Sequence, residues 1–397
     1  MADRTTADGI TRIAVEGFKS IATRQEIEIR PLTILAGANS SGKSAIMQPL
    51  LMLKQTLEAT YDPGSLKIDG PNAKFTDAKE FLARTGDGQK VEVEVEIGFA
   101  PKSSIGWRFR RPDPSLPLQV VHQWWASDDA KTDVAASLPG VVRDRFGLYV
   151  RAEVPPPLPQ IRELIDKIIH VPGLRGTRDR LYPRASVGPL FPGTFDFYHA
   201  SVILQWQKDK LLNDTRLNED LQKVGVANSV FAHGIGDVAV ELRVGLIEGR
   251  PYQLDNIADV GTGVSQVLPI LVALRAAEPG RLVYLEEPEI HLHPRTQTKL
   301  ADILADAARR EVHVVAETHS TLLLTAIQTL VAKGTLSPDL VKFHWFERDA
   351  ATGITKVTST DLDPNGAFSE EWPEDFDEVI LKSDREYLDA VTQRSGG

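Results

Sequence analysis

Hydrophobic positions along this chain recur with two periods, and the alternation between them predicts its elements. Residues 11 to 36 read as two strands, TRIAVEGFKSI and RQEIEIRPLTILAG, the second closing in the continuous apolar run of a buried central strand. A glycine-rich turn follows, and then SAIMQPLLMLKQTLEA places Ile46, Leu50, Leu53 and Leu57 at helical spacing. VEVEVEIGF at 91 to 99 alternates strictly, with IGWRFR as its hairpin partner, which predicts an antiparallel flank. AVELRVGL at 239 to 246 resumes strand alternation, SQVLPILVALRAA reads as a helix and RLVYLEEPE as a buried strand. RTQTKLADILADAARR reads as a helix and EVHVVAETHS as another buried strand, with a short strand pair from about residue 347. Strands that alternate with helices predict an α/β fold with a mixed, largely parallel sheet and helices on both faces.

Between 101 and 230 the texture changes, with Trp107, Trp124 and Trp125, the run EVPPPLP at 153 to 159 and the basic stretch LRGTRDRLYPR at 174 to 184. This block reads as an inserted middle segment. The organisation expected is therefore 1–100 and 231–346 as two halves of one domain, 101–230 between them, and 347–397 as an acidic extension. The net charge of −10 is unevenly spread: residues 101 to 190 hold 14 Lys/Arg against 9 Asp/Glu, a net +5, which leaves −15 elsewhere. The chain as a whole is not a basic nucleic-acid binder. With no cysteine, a disulfide framework, thiol catalysis and cysteine-ligated zinc are excluded. Neither a signal-peptide core nor a stretch of about eighteen apolar residues is found, so a cytoplasmic protein without a membrane partner is expected.

Four short motifs carry chemistry. GANSSGKS at 37 to 44 matches the phosphate-binding loop pattern G-x-x-x-x-G-K-[ST] and stands between a strand and a helix, as that pattern requires. Gly37 and Gly42 let the backbone curl so that the N–H groups of the turn and the helix N-terminus, Asn39, Ser40, Ser41 and Ala45 among them, face an ATP phosphate chain. Lys43 is expected on the β- and γ-phosphates, and Ser44 on Mg²⁺. LVYLEEPE at 282 to 289 is a buried strand that ends in paired acids, which calls for something cationic or protic opposite them. Glu286 is expected on Mg²⁺ and Glu287 as the general base for water. In VVAETHS at 314 to 320, His319 is placed to sense the γ-phosphate. VGTGVSQVLPIL at 260 to 271 sets Gly261, Gly263, Ser265 and Gln266 before a helix, a second phosphate-binding terminus that one chain does not need for itself. The expectation is a homodimer in which this turn meets the nucleotide of the other subunit. His291 and His293 in EIHLHP lack a third ligand for zinc and are expected at the dimer seam.

Together, GANSSGKS, VGTGVSQVLP, LEEPEIHLHP and ETHS, in that order, resemble the ABC-type ATPases of the RecF, structural-maintenance-of-chromosomes and OLD-nuclease group. Within it the sequence looks most like the stand-alone, OLD-like bacterial AAA-family ATPases that are paired with effector proteins in phage defence. VEGFKSI is similar to that group's N-terminus and WPEDFDE at 372 to 378 to a tail element of some members. The resemblance covers residues 10 to 100 and 235 to 346 and implies an ABC-type P-loop ATPase head. It also implies that ATP is sandwiched between two heads, that Mg²⁺ is used, and that Ser265 acts across the dimer. Two departures stand out: GTGVSQ replaces the usual Leu-Ser-Gly-Gly-Gln, and Glu286 stands where an aspartate is usual. Gln48 and Gln55 lie in the first helix and do not supply the family's glutamine loop.

About 130 residues between the two halves are too few for a long coiled-coil arm at about 1.5 Å per residue. About 75 after the ETHS strand are too few for an appended nuclease. Three functions are therefore open: a dimeric or higher-order ATPase switch acting on a separate nuclease or toxin in antiphage defence, a RecF-like ATPase that binds DNA, and a nucleotide-locked scaffold. The DNA reading rests on Arg108, Arg110, Arg111, Arg175, Arg178, Arg180 and Arg184 as phosphate contacts. The scaffold reading makes Trp107, Trp124 and Trp125 partner anchors.

Overall fold

A computed structural model describes residues 9–86, 88–100, 103–113, 116–127, 130–135, 141–143, 148–150, 158–175, 179–247 and 253–370. The strand Leu32–Ala36, buried at every position and apolar at all but Thr33, lies inside a six-stranded sheet. The sheet order is 169–171, 282–286, 313–318, 32–36, 341–348 and 355–360. The first five strands are parallel, and the last turns back antiparallel to its neighbour. A second six-stranded sheet, wholly antiparallel, runs in the order 25–28, 12–16, 92–100, 103–110, 119–127 and 130–135. The expected α/β class with an antiparallel flank is what the chain adopts.

Helix α1 (Lys43–Leu57) is packed between the two sheets, and α2 (Leu158–Asp166) joins the same core through Ile161 and Ile165. Because side chains alternate across a strand, Leu32, Ile34, Val283, Leu285, Val314 and Ala316 face one core, while Leu35, Tyr284 and Val315 face the α1 side. That parity decides the site: Glu286 and Glu317 follow Tyr284 and Val315 by two residues and so emerge on the α1 side. The opposite face is covered by α5 (Thr262–Ala276), α6 (Pro294–Arg309) and α7 (Thr321–Ala332), with α3 (His199–Lys208) and α4 (Leu212–Val224) in the same core. Among the described residues no helix is long and apolar enough to cross a membrane.

The block 101–230, expected as an inserted middle segment, contributes strands to both sheets. Its first strands complete the antiparallel sheet, and Ile169–Val171 forms the edge of the parallel sheet beside Val283–Leu285. A three-residue strand has too little sequence to show a period, which is why the block reads as foreign. Trp107 is fully buried, and Trp124 and Trp125 nearly so. Trp124 lies against Gly106, where a Cβ would come within 2.3 Å of its ring. Trp107 and Trp125 are core, and Trp124, on the other side of the sheet, is buried with its indole N–H donated to Glu96, so the partner-anchor reading is corrected. The strand pair expected from 347 begins at Val341, and WPEDFDE lies outside the described residues.

Two buried histidines make stability depend on pH. A carbonyl only accepts, so His344 donates from Nε2 to Glu28 (2.8 Å) and takes the Ser359 hydroxyl at Nδ1 (2.7 Å). His199 donates from Nδ1 to the Asp196 carbonyl (2.7 Å). Burial pushes both imidazoles down to about 4. The unfolded chain then takes up protons first, so their stabilisation is whole above about pH 6.5 and is lost as pH falls towards about 4. We expect the unfolding free energy to fall through that window by on the order of 3 kcal/mol per histidine. Urea titrations across it should show a shallower slope for His344→Gln.

Candidate functional site

At the C-terminal ends of the parallel strands the loop Gly37–Gly42 turns into α1. Gly37 and Gly42 have φ of 147° and 105°, in the left-handed half of backbone space. A Cβ on Gly37 would lie 2.3 Å from the Phe346 carbonyl, and one on Gly42 would lie 2.5 Å from Thr355 Oγ1. The turn is thus pressed against the hairpin 341–360, whose Thr355 hydroxyl donates to the Ser41 carbonyl (2.6 Å). Lys43 folds over the loop, donating to the carbonyls of Gly37 (2.8 Å) and Ala38 (2.9 Å). Burial lowers its pKa, opposed by Glu317, Glu287 and Glu289.

A cleft of about 720 Å³ opens over this turn. Asn39 to Ala45 line it together with Glu287 and Glu317. Its remaining walls include Lys19 and Ser20, Lys79 and Arg84, and Arg348 and Thr352 of the hairpin. The site residues Asn39, Ser40, Ser41, Gly42, Lys43, Ser44, Ala45 and Glu287 are therefore brought together, while Gly37 supports the loop from behind.

Three acids, Glu286, Glu287 and Glu317, gather at the strand ends beside the turn. Ser44 Oγ donates to Glu317 Oε2 (2.8 Å), and the Tyr284 hydroxyl donates to Glu317 Oε1. Glu317 is fully buried; burial raises its carboxyl to about 7, and the neighbouring Glu286 adds to the effect. Glu286, its register partner on the adjacent strand, is bonded through Oε1 to His170 Nε2 (3.1 Å) and through Oε2 to the Gly173 amide (3.0 Å). Burial would raise the Glu286 pKa, but these bonds hold it below the ordinary range. Neighbours from 170 to 173, invisible to local pattern, thus engage the carboxylate that the sequence reading expects on Mg²⁺.

Glu287 stands at φ 43°, and its backbone N–H donates to the Glu317 carbonyl (3.0 Å). A left-handed glutamate is a strained choice, held by the surrounding bonds. His319 Nδ1 is 3.6 Å from Glu287 Oε1 and 3.8 Å from Glu289 Oε1. Glu289 is buried and accepts the Thr318 hydroxyl (2.6 Å) and the His319 amide (3.0 Å), which fixes the histidine's backbone. Sequence reasoning missed Glu289 and Glu317. Strand parity was the signal for Glu317, since ETHS continues a buried strand whose every second residue faces α1.

Gly261 and Gly263 lie at the N-terminus of α5 with open space around them. Ser265 and Gln266 do not face outward. Ser265 donates back to the Thr262 carbonyl (2.9 Å), and the Gln266 amide donates to the Arg175 carbonyl. Both are buried, because the helix begins at Thr262 rather than at Ser265 and carries them into the core. His291 is exposed with φ 60°, and His293 caps α6.

Most of the arginines expected on nucleic acid are engaged. Arg108 pairs with Glu94, Arg110 with Glu92 and Arg111 with Asp77, cross-strand or loop acids that cancel the basic stripe. Arg175 is buried among backbone carbonyls, Arg180 pairs with Asp259 (2.5 Å), and Arg184 donates to the Gly236 carbonyl (3.0 Å). Arg178 lies outside the described residues.

The family described as AAA domain, putative AbiEii toxin, Type IV TA system matches residues 32–115 and 167–325. No curated protein matches the chain in sequence. Among solved structures, an SMC head bound to the C-winged helix domain of ScpA superposes with a TM-score of 0.57 at 14% identity, over 89% of this chain and 98% of that one. An SMC head from Thermotoga maritima gives 0.45 at 12% identity, over 88% and 98%. An SMC head with an extended coiled coil, bound to the C-terminal domain of ScpA derived from Pyrococcus furiosus, gives 0.48 at 11% identity, over 97% and 99%. With a phosphate-binding turn, paired acids and a histidine at the ends of one parallel sheet, and with this match over more than half its length, the chain belongs to the AAA-domain family of putative AbiEii toxins and has the fold of an SMC-type ATPase head.

Proposed function

We propose that this protein is an ATP-hydrolysing switch that works as a homodimer and controls a separate effector. The observation that carries the reading is the separation of two phosphate-binding elements. Residues 39–45 line one cleft with Glu287 and Glu317, whereas the open N-terminus of α5 at Gly261 and Gly263 lines none of it. A second copy related by a two-fold axis brings that terminus onto the γ-phosphate of the first.

In the closed site Lys43 and the N–H groups of the turn hold the β- and γ-phosphates. The donor set fits Mg²⁺: Ser44 and a carboxylate are hard oxygen ligands on the lip of the cleft, and the buried Ser41 Oγ has no protein partner. Mg²⁺, when bound, neutralises charge on the phosphate oxygens. Glu287 accepts a proton from water as the water oxygen bonds to the γ-phosphorus and the bond to the bridging oxygen breaks, leaving ADP and phosphate. His319, beside Glu287, donates to the γ-phosphate.

The effector half of the reading is supported by the SMC head that binds a separate winged-helix domain. We take the effector to be a nuclease or toxin acting in antiphage defence. No observation favours the DNA reading, since the described arginines proposed for it have protein partners.

Gly263→Glu tests the dimer. The position has room for a side chain, and an acid in the first turn suits the helix dipole but repels a phosphate. The expected result is unchanged ATP binding by the isolated chain together with loss of the ATP-dependent doubling of solution mass. A wild type whose mass ignores ATP would remove the sandwich from the account.

A further inference from the structure

Resting on the nucleotide-binding reading above, we propose that the carboxylate sharing Mg²⁺ with Ser44 is Glu317 of the His313–Thr318 strand, and that Glu286 is a positioning residue held away from the metal by His170.

The two carboxylates are register partners on adjacent parallel strands and leave the sheet on the same side, so position alone does not choose between them. Their hydrogen bonds do. Glu317 Oε2 is 2.8 Å from Ser44 Oγ. Hydroxyl and carboxylate are both hard oxygen donors, and this contact sets them side by side where they would hold Mg²⁺. The other oxygen of Glu317 takes the Tyr284 hydroxyl, which is itself fully buried and fixes the carboxyl group's rotation. Glu317 also lines the cleft, and Glu286 does not.

Both oxygens of Glu286 are engaged by donors other than Ser44. One is bonded to the Gly173 amide (3.0 Å) and the other to His170 Nε2 (3.1 Å). The Asn72 amide nitrogen, a donor, lies 3.1 Å from His170 Nδ1, so Nδ1 is the accepting nitrogen and Nε2 carries the proton given to Glu286. His170 is buried and stacks on Tyr284 with ring centroids 5.3 Å apart, which removes its freedom to turn. The chain Asn72, His170, Glu286 thus ties the segment after α1 and the edge of the sheet to the strand end that presents Glu287. A glutamate in place of the usual shorter acid is explained as well: the longer side chain reaches sideways to His170 and Gly173.

The test measures affinity for a fluorescent ATP analogue in Mg²⁺ and in EDTA, with electron paramagnetic resonance of Mn²⁺ bound alongside the nucleotide. Glu317→Gln is expected to bind nucleotide in EDTA as the wild type does but to lose at least tenfold of the metal-dependent gain and to alter the Mn²⁺ signal. Glu286→Gln is expected to keep both. Glu317→Asp, which retains the charge, guards against a folding defect and should recover part of the gain. The assignment is overturned if the Glu286 variant loses metal dependence while the Glu317 variants keep it. Failure of the wild type to bind ATP even in EDTA would instead remove the functional reading on which the assignment rests.

Discussion

Glu287→Gln should lower ATP turnover by about 10² to 10⁴, the range a positioned general base supplies, while nucleotide binding survives. Glu287 lines the cleft with the phosphate-binding turn, and its backbone is locked to the Glu317 carbonyl. His319 is 3.6 Å from its carboxylate. The substitution is isosteric and removes only the ability to take a proton. If hydrolysis is what reopens the dimer, the variant accumulates as an ATP-bound pair. Phosphate release and solution mass, measured together, decide the matter. An undiminished rate would place the base elsewhere, and negligible turnover in both proteins would favour the nucleotide-locked scaffold.

Arg175→Ala should cost about 3–5 kcal/mol of unfolding free energy, the penalty for breaking a buried charged network by removing one member. The guanidinium donates to the carbonyls of Gln266 (2.9 Å), Pro172 (3.0 Å), Gly173 (3.2 Å), Glu286 (2.9 Å), Glu287 (3.1 Å) and Pro288 (3.0 Å). Burial lowers its pKa to about 10, opposed by Glu289, Glu286 and Glu287, so it remains charged at neutral pH. It pins the acidic strand end to α5, the two elements that meet opposite nucleotides in the proposed dimer. Urea unfolding measures the loss. Arg175→Lys should recover little, since one ammonium has three donors and no planar fork to spread over six carbonyls. A melting profile unchanged in the alanine variant would mean that the carbonyls find water instead.

Local motifs were legible because their chemistry is contiguous. The turn at 37–44 needs only neighbours in sequence: glycines where φ is positive, a lysine to cover the loop, and a helix start that offers N–H groups. All of this stands in GANSSGKS and recurs in the fold. The signature turn was legible only in part. Periodicity set a helix near Ser265, yet Gly261, Thr262 and Gly263 form its outward end and Ser265 is buried, because burial against Arg175 and the core decides which turn faces out. The basic middle segment misled for a related reason. Charge counted along the chain ignores partners across strands, and Glu92, Glu94 and Asp77 neutralise Arg110, Arg108 and Arg111.

By itself the sequence determined the α/β class, the phosphate-binding turn, Glu287 at the end of a buried strand and His319 at the end of the next. Backbone conformation, apolar periodicity and the cost of burying an unpaired acid act over a few residues and are written there. Only the tertiary structure decided which carboxylate meets Ser44 and which meets His170, where Arg175 lies, and which tryptophans are core. Those outcomes depend on strand order and register, which bring residues 44 and 317, or 170 and 286, to hydrogen-bonding distance, and no local pattern encodes a pairing between segments so far apart.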